Sequence, residues 1–208
     1  IMSIRTLFVG DPNLGHAGLD IMKKHFPQTE SVIWRKGDKF GRECARQFIR
    51  SRKWDVAISF YNDLLFKPED LDAMALPLNI HPARPELPGV GYDTVPLLDN
   101  HDMHGATLHT MNENIDDGRI LHVLEKELPE VLTGKELRSR NQKLCLELLD
   151  RTVEQIAQAE CWKEAENRLA SSGNGEGREW SSNYISKKHV NERLEELKTS
   201  DPKHPVFA

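Results

Sequence analysis

Two polar side chains near the middle of the chain have the types and spacing to act on one ligand. Asn79 and His81 are separated by Ile80 and followed directly by Pro82. Alternate residues of a strand point to the same side, so the amide and the imidazole would face one way. Pro82 would end the strand there, which leaves both groups at its carboxyl end. We therefore predict that they converge on one ligand oxygen; the alternative is that each only hydrogen-bonds to a nearby loop.

A second candidate is a carboxylate pair further along the chain. Asp116 and Asp117 stand between Ile115 and Gly118. Asp and Gly favour turns for backbone reasons alone, so an ordinary turn between two strands is the better interpretation of this segment by itself. It becomes a functional candidate only together with the Asn79 and His81 pair.

The elements that must position these groups alternate between strand and helix. Apolar runs predict strands at 6–9, 31–34, 55–60 and 78–81, and helical spacing predicts helices at 15–25, 42–50 and after Pro68. The run at 55–60 is nearly continuous, as expected for a strand that is buried on both faces. This alternation predicts an α/β fold with an open, mostly parallel, Rossmann-like sheet flanked by helices. The carboxyl edge of such a sheet is where ligands usually bind.

The second half of the chain has a different pattern. Residues 82–100 are rich in proline and glycine and are predicted to form a long ordered loop. Strands are expected at 106–111 and 120–127, and the capping box of Thr133 and Glu136 starts a long helix. We expect three parts: a catalytic domain at 2–162, a flexible linker at 163–179 that contains the polar run 171–177, and a short helical or irregular extension at 180–208.

Composition narrows the function classes. The formal net charge of −5 argues against a nucleic-acid partner, because phosphate binding needs a concentrated positive surface. The three cysteines include no C-x-x-C pair. We therefore expect that they form neither disulfides nor a metal site. No apolar run approaches the length of a membrane span. We therefore expect a cytoplasmic protein that acts on small molecules, needs no metal and has no membrane partner; a homodimer is compatible with the sequence.

Four short motifs occur in order within 79–120. Together they resemble the formyltransferases that use 10-formyltetrahydrofolate, a family that includes glycinamide ribonucleotide transformylase, methionyl-tRNA formyltransferase and sugar N-formyltransferases. The family pattern is N-x-H-P, a Leu-Pro-Gly loop, G-x-T-x-H and D-x-G-x-I. The matching residues are Asn79, His81 and Pro82; Leu87, Pro88 and Gly89; Gly105, Thr107 and His109; and Asp116, Gly118 and Ile120.

The resemblance implies an enzyme that moves a formyl group from 10-formyltetrahydrofolate, its co-substrate, to an amine. Asn79 and His81 would donate hydrogen bonds to the oxyanion of the tetrahedral intermediate, and Asp116 would favour the imidazolium and handle the amine proton. The pterin would bind along two stretches. Those stretches correspond to Leu64, Leu65 and Phe66, and to Asn112, Glu113, Asn114 and Ile115.

Departures from the family pattern bear on the acceptor. Gly89, Val90 and Gly91 follow the Leu-Pro pair, where many relatives carry Tyr-Arg-Gly, and Asp11 stands where transformylases have a phosphate-binding loop. Asp11 would repel a phosphate, which counts against purine synthesis. A nucleotide-linked amino sugar is therefore the leading acceptor. The alternatives are a 10-formyltetrahydrofolate hydrolase, a glycinamide ribonucleotide transformylase-like enzyme, and a non-catalytic folate- or nucleotide-binding protein.

Overall fold

The structure is a computed structural model that describes residues 4–130 and 132–208 of the 208-residue chain. A six-stranded sheet with the order β2-β1-β3-β4-β5-β6 forms its centre. Its strands are β1 (Thr6–Gly10), β2 (Glu30–Ile33), β3 (Trp54–Phe60), β4 (Met74–His81), β5 (Met103–Thr110) and β6 (Ile120–Glu127). The helices are α1 (Gly15–His25), α2 (Lys39–Arg50), α3 (Pro68–Leu71), α4 (Val95–Leu98), α5 (Gly134–Ala157), α6 (Trp162–Ser172) and α7 (Lys187–Ser200).

The strand directions confirm the predicted fold class. β1 pairs in parallel with β2 and β3, and β3 pairs in parallel with β4. β5 is antiparallel to both of its neighbours, β4 and β6. The sheet is therefore open and mostly parallel, and the change of direction at β5 brings the carboxyl end of β4 beside the middle of a strand that runs the opposite way.

Both faces of the sheet are covered, which explains why its central strands are apolar throughout. One face packs against α1, α5 and α6 around Phe8, Ile58 and Leu148. The other face packs over β1 and β3 against α2, with Ile49 and Trp54 in its core. On this second face, loops rather than a helix lie over β4 and β5, and this is where the polar residues gather. No helix within the described ranges has the length and apolarity that a bilayer crossing requires.

A buried ion pair fixes the loop that follows β3. Asp70 in α3 is fully buried and accepts hydrogen bonds from the guanidinium groups of Arg46 and Arg50 in α2. Arg46 also donates to the main-chain carbonyl of Leu65, at 2.6 Å, and Asp70 accepts from the main-chain N–H of Lys67, at 2.8 Å. One carboxylate thus ties the loop at 64–67 to the helix α2.

The predicted linker is wrong over its first part, because the helix α6 occupies Trp162–Ser172. Its apolar signal is short, since only Ala165 and Leu169 are buried, and the polar residues around them suggested irregular chain. The residues that follow α6 run along the edge of β6. Asn174 exchanges two side-chain hydrogen bonds with the main chain of Val123, at 2.7 and 3.0 Å. The division of the chain into domains stays a prediction.

The remaining differences concern element length. β4 and β5 begin earlier than predicted, and the long loop at 82–100 contains the one-turn helix α4. In the extension predicted at 180–208, the helix α7 spans Lys187–Ser200 and packs Val190 onto the loop through Leu87 and Val95. The C-terminal extension therefore packs on the loop that follows β4.

Candidate active site

Strand pairing places the predicted residues on one face of the sheet. Asn79 lies directly opposite His109 across β4 and β5, and His81 lies opposite Thr107. All four side chains share the face that loops cover, since positions two apart on a strand point the same way. The intervening Ile80 is buried in the core on the other face. The alternation expected from the sequence is therefore present, and it extends to the neighbouring strand.

The orientation of the His81 ring is set by a main-chain carbonyl. Its Nε2 lies 2.8 Å from the carbonyl oxygen of Leu87. A carbonyl can only accept, so Nε2 carries a proton and donates it. Nδ1 then points towards Asp116, with 3.4 Å between Nδ1 and Oδ2. When Nδ1 is also protonated, the imidazolium can donate to a ligand oxygen or to the carboxylate at this position.

The neighbouring His109 fixes the amide of Asn79. Its Nδ1 lies 2.8 Å from the carbonyl of Thr110 and must be the protonated nitrogen, which leaves Nε2 as an acceptor for the Asn79 amide at 3.0 Å. Burial lowers the pKa of His109 to about 4, although the nearby charge of Asp116 opposes this shift. His109 is therefore neutral at pH 7. Asn79 has a second N–H, and that one remains for a ligand.

The carboxylate of Asp116 completes the arrangement from the turn between β5 and β6. Its φ of 48° lies in the left-handed region, which Asp tolerates better than most residues. Oδ2 accepts from the main-chain N–H of Gly89 at 2.8 Å, and Oδ1 lies 3.7 Å from Nε2 of His109. The structure thus brings Asn79, His81 and Asp116 together around a shared centre.

Gly89 is required where the loop meets this carboxylate. Its φ is 97°, and a Cβ atom there would lie 2.3 Å from the carbonyl oxygen of Ile185. Main-chain hydrogen bonds pair the segment on both sides, from Val90 to Ile185 and from Ile185 to Pro88, each at 2.9 Å. The glycine in place of a bulkier residue therefore lets the C-terminal extension approach Asp116.

Two residues of this site were not assigned roles from the sequence. His109 was noted only as a motif position, although strand pairing with Asn79 could have indicated its contact. Trp180 lies in the C-terminal extension, and its ring packs edge-on against His109 and His81, with centroid distances of 4.9 and 5.6 Å. Its Nε1 donates to the carbonyl of Gly118 at 2.8 Å. No local pattern in the sequence predicts a contact between residues this far apart.

The first predicted pterin stretch lies beside the site. Leu64 is buried and Phe66 half-buried in the core cluster on this face, and Met111 at the start of the acidic turn packs against the same cluster. Leu65 between them is 62% exposed. The first predicted stretch therefore meets Met111, the residue directly before the second stretch, on the face that carries Asn79 and His81.

The second stretch is an exposed turn held by its own side chains. Asp117 accepts from the amides of Asn112 and Asn114, at 3.3 and 3.0 Å. Ile115 is 48% exposed, and Glu113 is exposed as well. The contacts within this turn fix the position of Asp116. The binding role of both stretches stays a prediction.

At the start of α1, a carboxylate occupies the place where an anion would be bound. Oδ1 of Asp11 accepts from the main-chain N–H groups of Leu14 and Gly15, at 2.8 and 3.3 Å. These donors would otherwise be available to a phosphate group. Within residues 4–130 and 132–208 as a whole, no group of three or more His, Cys, Asp or Glu side chains is arranged to hold a metal ion.

Comparison with known proteins gives matches in structure and none in sequence. No protein-family model and no curated protein sequence matches the chain. Among solved structures, an N-formyltransferase from Helicobacter canadensis, in complex with folinic acid and dTDP-3-aminofucose, aligns with a TM-score of 0.67 over 91% of this chain and 73% of that one, at 18% identity. The chain has the formyltransferase fold. A 4-N formyltransferase from Francisella tularensis aligns over 89% of this chain and 77% of its own, with a TM-score of 0.62 and 18% identity.

A second group with the formyltransferase fold aligns over less of this chain. The phosphoribosylglycinamide formyltransferase from Streptococcus pneumoniae is covered over 98% of its length but matches only 73% of this chain, with a TM-score of 0.58 and 15% identity. The Helicobacter structure matches a larger share of this chain.

Proposed function

We propose that this protein is an N-formyltransferase that moves a formyl group from 10-formyltetrahydrofolate to a primary amine. The observation that carries this proposal is the meeting of Asn79, His81 and Asp116 on one sheet face in a chain with the formyltransferase fold. The three groups supply what acyl transfer needs: two hydrogen-bond donors for an oxyanion and a carboxylate for a proton.

In the proposed reaction, the neutral amine attacks the formyl carbon and the carbonyl electrons move onto oxygen. The free N–H of Asn79 and the protonated Nδ1 of His81 donate to this oxygen as its charge develops. Asp116 accepts the proton that the amine loses. When the carbonyl re-forms, the bond from carbon to the folate nitrogen breaks, and that nitrogen takes up the proton. His109 acts on this centre only indirectly, because it holds the amide of Asn79.

A nucleotide-linked amino sugar is the acceptor that we propose. The Helicobacter relative was crystallised with dTDP-3-aminofucose, and sugar enzymes of this fold align over more of the chain than the ribonucleotide transformylase does. Asp11 argues in the same direction, because its carboxylate already binds the main-chain donors at the start of α1. A ribonucleotide phosphate at this position would meet a like charge.

The test is a transfer assay with 10-formyltetrahydrofolate and a panel of amino-sugar nucleotides and glycinamide ribonucleotide, read by mass spectrometry as the gain of one formyl group. A parallel reaction without amine measures hydrolysis. Transfer to an amino sugar supports the full proposal, and transfer to glycinamide ribonucleotide alone would refute the acceptor. Folate turnover that needs no amine would identify a hydrolase. No turnover and no folate binding would refute the function as a whole.

Variants test the three roles. Asn79→Ala and His81→Ala should each lower kcat by about a hundredfold or more, the usual effect of removing an oxyanion donor. Asp116→Asn keeps an acceptor for Gly89, so it should lower turnover much more than folate affinity. Asn191→Ala and His25→Ala change the same residue types at exposed positions and should retain full activity. Wild-type rates in either of the first two variants would contradict the role given to that residue.

A further inference from the structure

The side chains of His81 and Asp116, two of the three proposed catalytic groups, are almost closed off from solvent, as is His109, whereas Asn79 is half-buried. The exposed fraction is 4% for the side chain of His81, 3% for His109 and 7% for Asp116. A pteridine and an amine must nevertheless reach Asn79 and His81 if the proposed reaction occurs. Some group that covers these residues must therefore move during each reaction cycle.

Trp180 covers both histidines, and one side-chain hydrogen bond holds it there. Its indole packs edge-on against both histidines, and one hydrogen bond joins its Nε1 to the carbonyl of Gly118 in the acidic turn. By contrast, the main chain on either side of it is held firmly. Arg178 pairs with Glu125, and the main-chain N–H of Ser181 donates to Pro85 at 3.0 Å.

Space to receive the indole lies directly beside it. A groove of about 810 Å³ is lined by Trp180 itself, by the acidic turn at Gly118 and Arg119, and by the glycine-containing segment that follows α6. In that segment Gly177 has a φ of 73°, and a Cβ atom there would meet nothing within 4 Å. Rotation of the Trp180 side chain into this groove would leave the contacts of Arg178 and Ser181 in place.

We propose that Trp180 is a side-chain gate between this groove and the catalytic residues. In the closed position, seen here, the indole shields His81 and His109 and ties the C-terminal extension to the acidic turn. In the open position, it lies in the groove and the space in front of the histidines is free for substrates. The need for an open state rests on the proposed function, but the motion itself can be measured without any substrate.

The experiment measures the accessibility of individual histidines with diethyl pyrocarbonate, which modifies unprotonated imidazole nitrogens and is read residue by residue by mass spectrometry. The chain supplies its own controls. His25 is exposed and sets the rate without protection, whereas His104 is buried against Asn141 and reports opening of the whole fold. A side-chain gate exposes little surface, so urea well below the unfolding transition should not change the modification rate of His81 or His109. Opening by unfolding would make their rates rise with urea together with that of His104.

Two variants separate the gate from general loosening. Trp180→Ala should raise the modification rates of His81 and His109 at least tenfold and leave that of His104 unchanged. Trp180→Phe keeps a ring but loses the N–H, so an increase of about fivefold is expected, the factor that one hydrogen bond is worth. Trp162→Phe is the matched control on α6 and should change nothing. Trp180→Phe decides the outcome if the alanine variant does not fold.

Unchanged rates for both histidines in the Trp180 variants would overturn the gate, as would rates that follow His104 in urea. Adding 5-formyltetrahydrofolate tests the other proposal separately. Protection of His81 in Trp180→Ala would support folate binding at this site. A lack of protection, together with fast modification, would refute the folate site while the gate stands. Much weaker folate binding in Trp180→Ala than in the wild type would instead make Trp180 a wall of the binding site and overturn the gate.

Discussion

The buried His109 makes the stability of this fold sensitive to mild acid. Burial lowers its pKa from 6.5 to about 4. The unfolded chain therefore binds a proton near pH 6.5, while the folded protein does so only near pH 4. Between these values the unfolded state holds more protons, so the free energy of unfolding rises with pH and the full contribution of His109 is present above pH 6.5.

The size of the effect follows from the width of this window. One pH unit corresponds to about 1.4 kcal/mol per proton, so lowering the pH from about 7 to about 5 should cost about 2 kcal/mol through His109 alone. His109→Gln removes the titration but keeps a side-chain oxygen that can accept from Asn79. Over the same pH range, the free energy of unfolding of this variant should therefore fall by about 2 kcal/mol less than that of the wild type.

Urea denaturation followed by circular dichroism, at several pH values between these limits, measures this difference. His104 and His122, whose pKa values burial also lowers, are present in both proteins, so their contributions cancel in the comparison. Parallel losses of stability in the wild type and His109→Gln would show that His109 does not hold a neutral ring in the folded state. The assigned hydrogen bond from Asn79 would then be wrong.

Two further predictions concern the packing around the site. Arg46→Met should lower the free energy of unfolding by about 3 kcal/mol, because the buried Asp70 keeps only one of its two cationic partners, Arg50; a urea titration showing less than about 1 kcal/mol would contradict the importance of this pair. Leu169→Ala should cost about 3 kcal/mol, as usual for a buried leucine; an unchanged urea midpoint would show that α6 contributes nothing to the core.

The fold class could be predicted because its signals are local. Apolar runs and capping residues marked β1, α1, β6 and the start of α5 to within a residue or two. The helix α6 was missed for the same reason: with only Ala165 and Leu169 buried, its contact with the core leaves a weak local pattern. A local sequence pattern predicts the secondary structure of a segment well only when many residues of that segment are buried.

The candidate site could be predicted in part. Strand alternation placed Asn79 and His81 on one side, but their approach to Asp116 depends on a left-handed turn whose exact residue the Asp-Asp-Gly pattern does not specify. The contacts of Trp180 depend on the path of the chain after α6 and around β6. Such a contact is a property of the assembled fold, so neither residue type nor spacing could indicate it.

The amide of Asn174 has a consequence for how two copies of this chain could associate. Its two hydrogen bonds with Val123, together with the bond from the main-chain N–H of Gly175 to Leu121, fill positions that a neighbouring strand would otherwise take along β6. An incoming chain could extend the sheet there only by first displacing this stretch. The polar run after α6 thus covers the edge strand β6 and prevents it from pairing with a strand of another molecule.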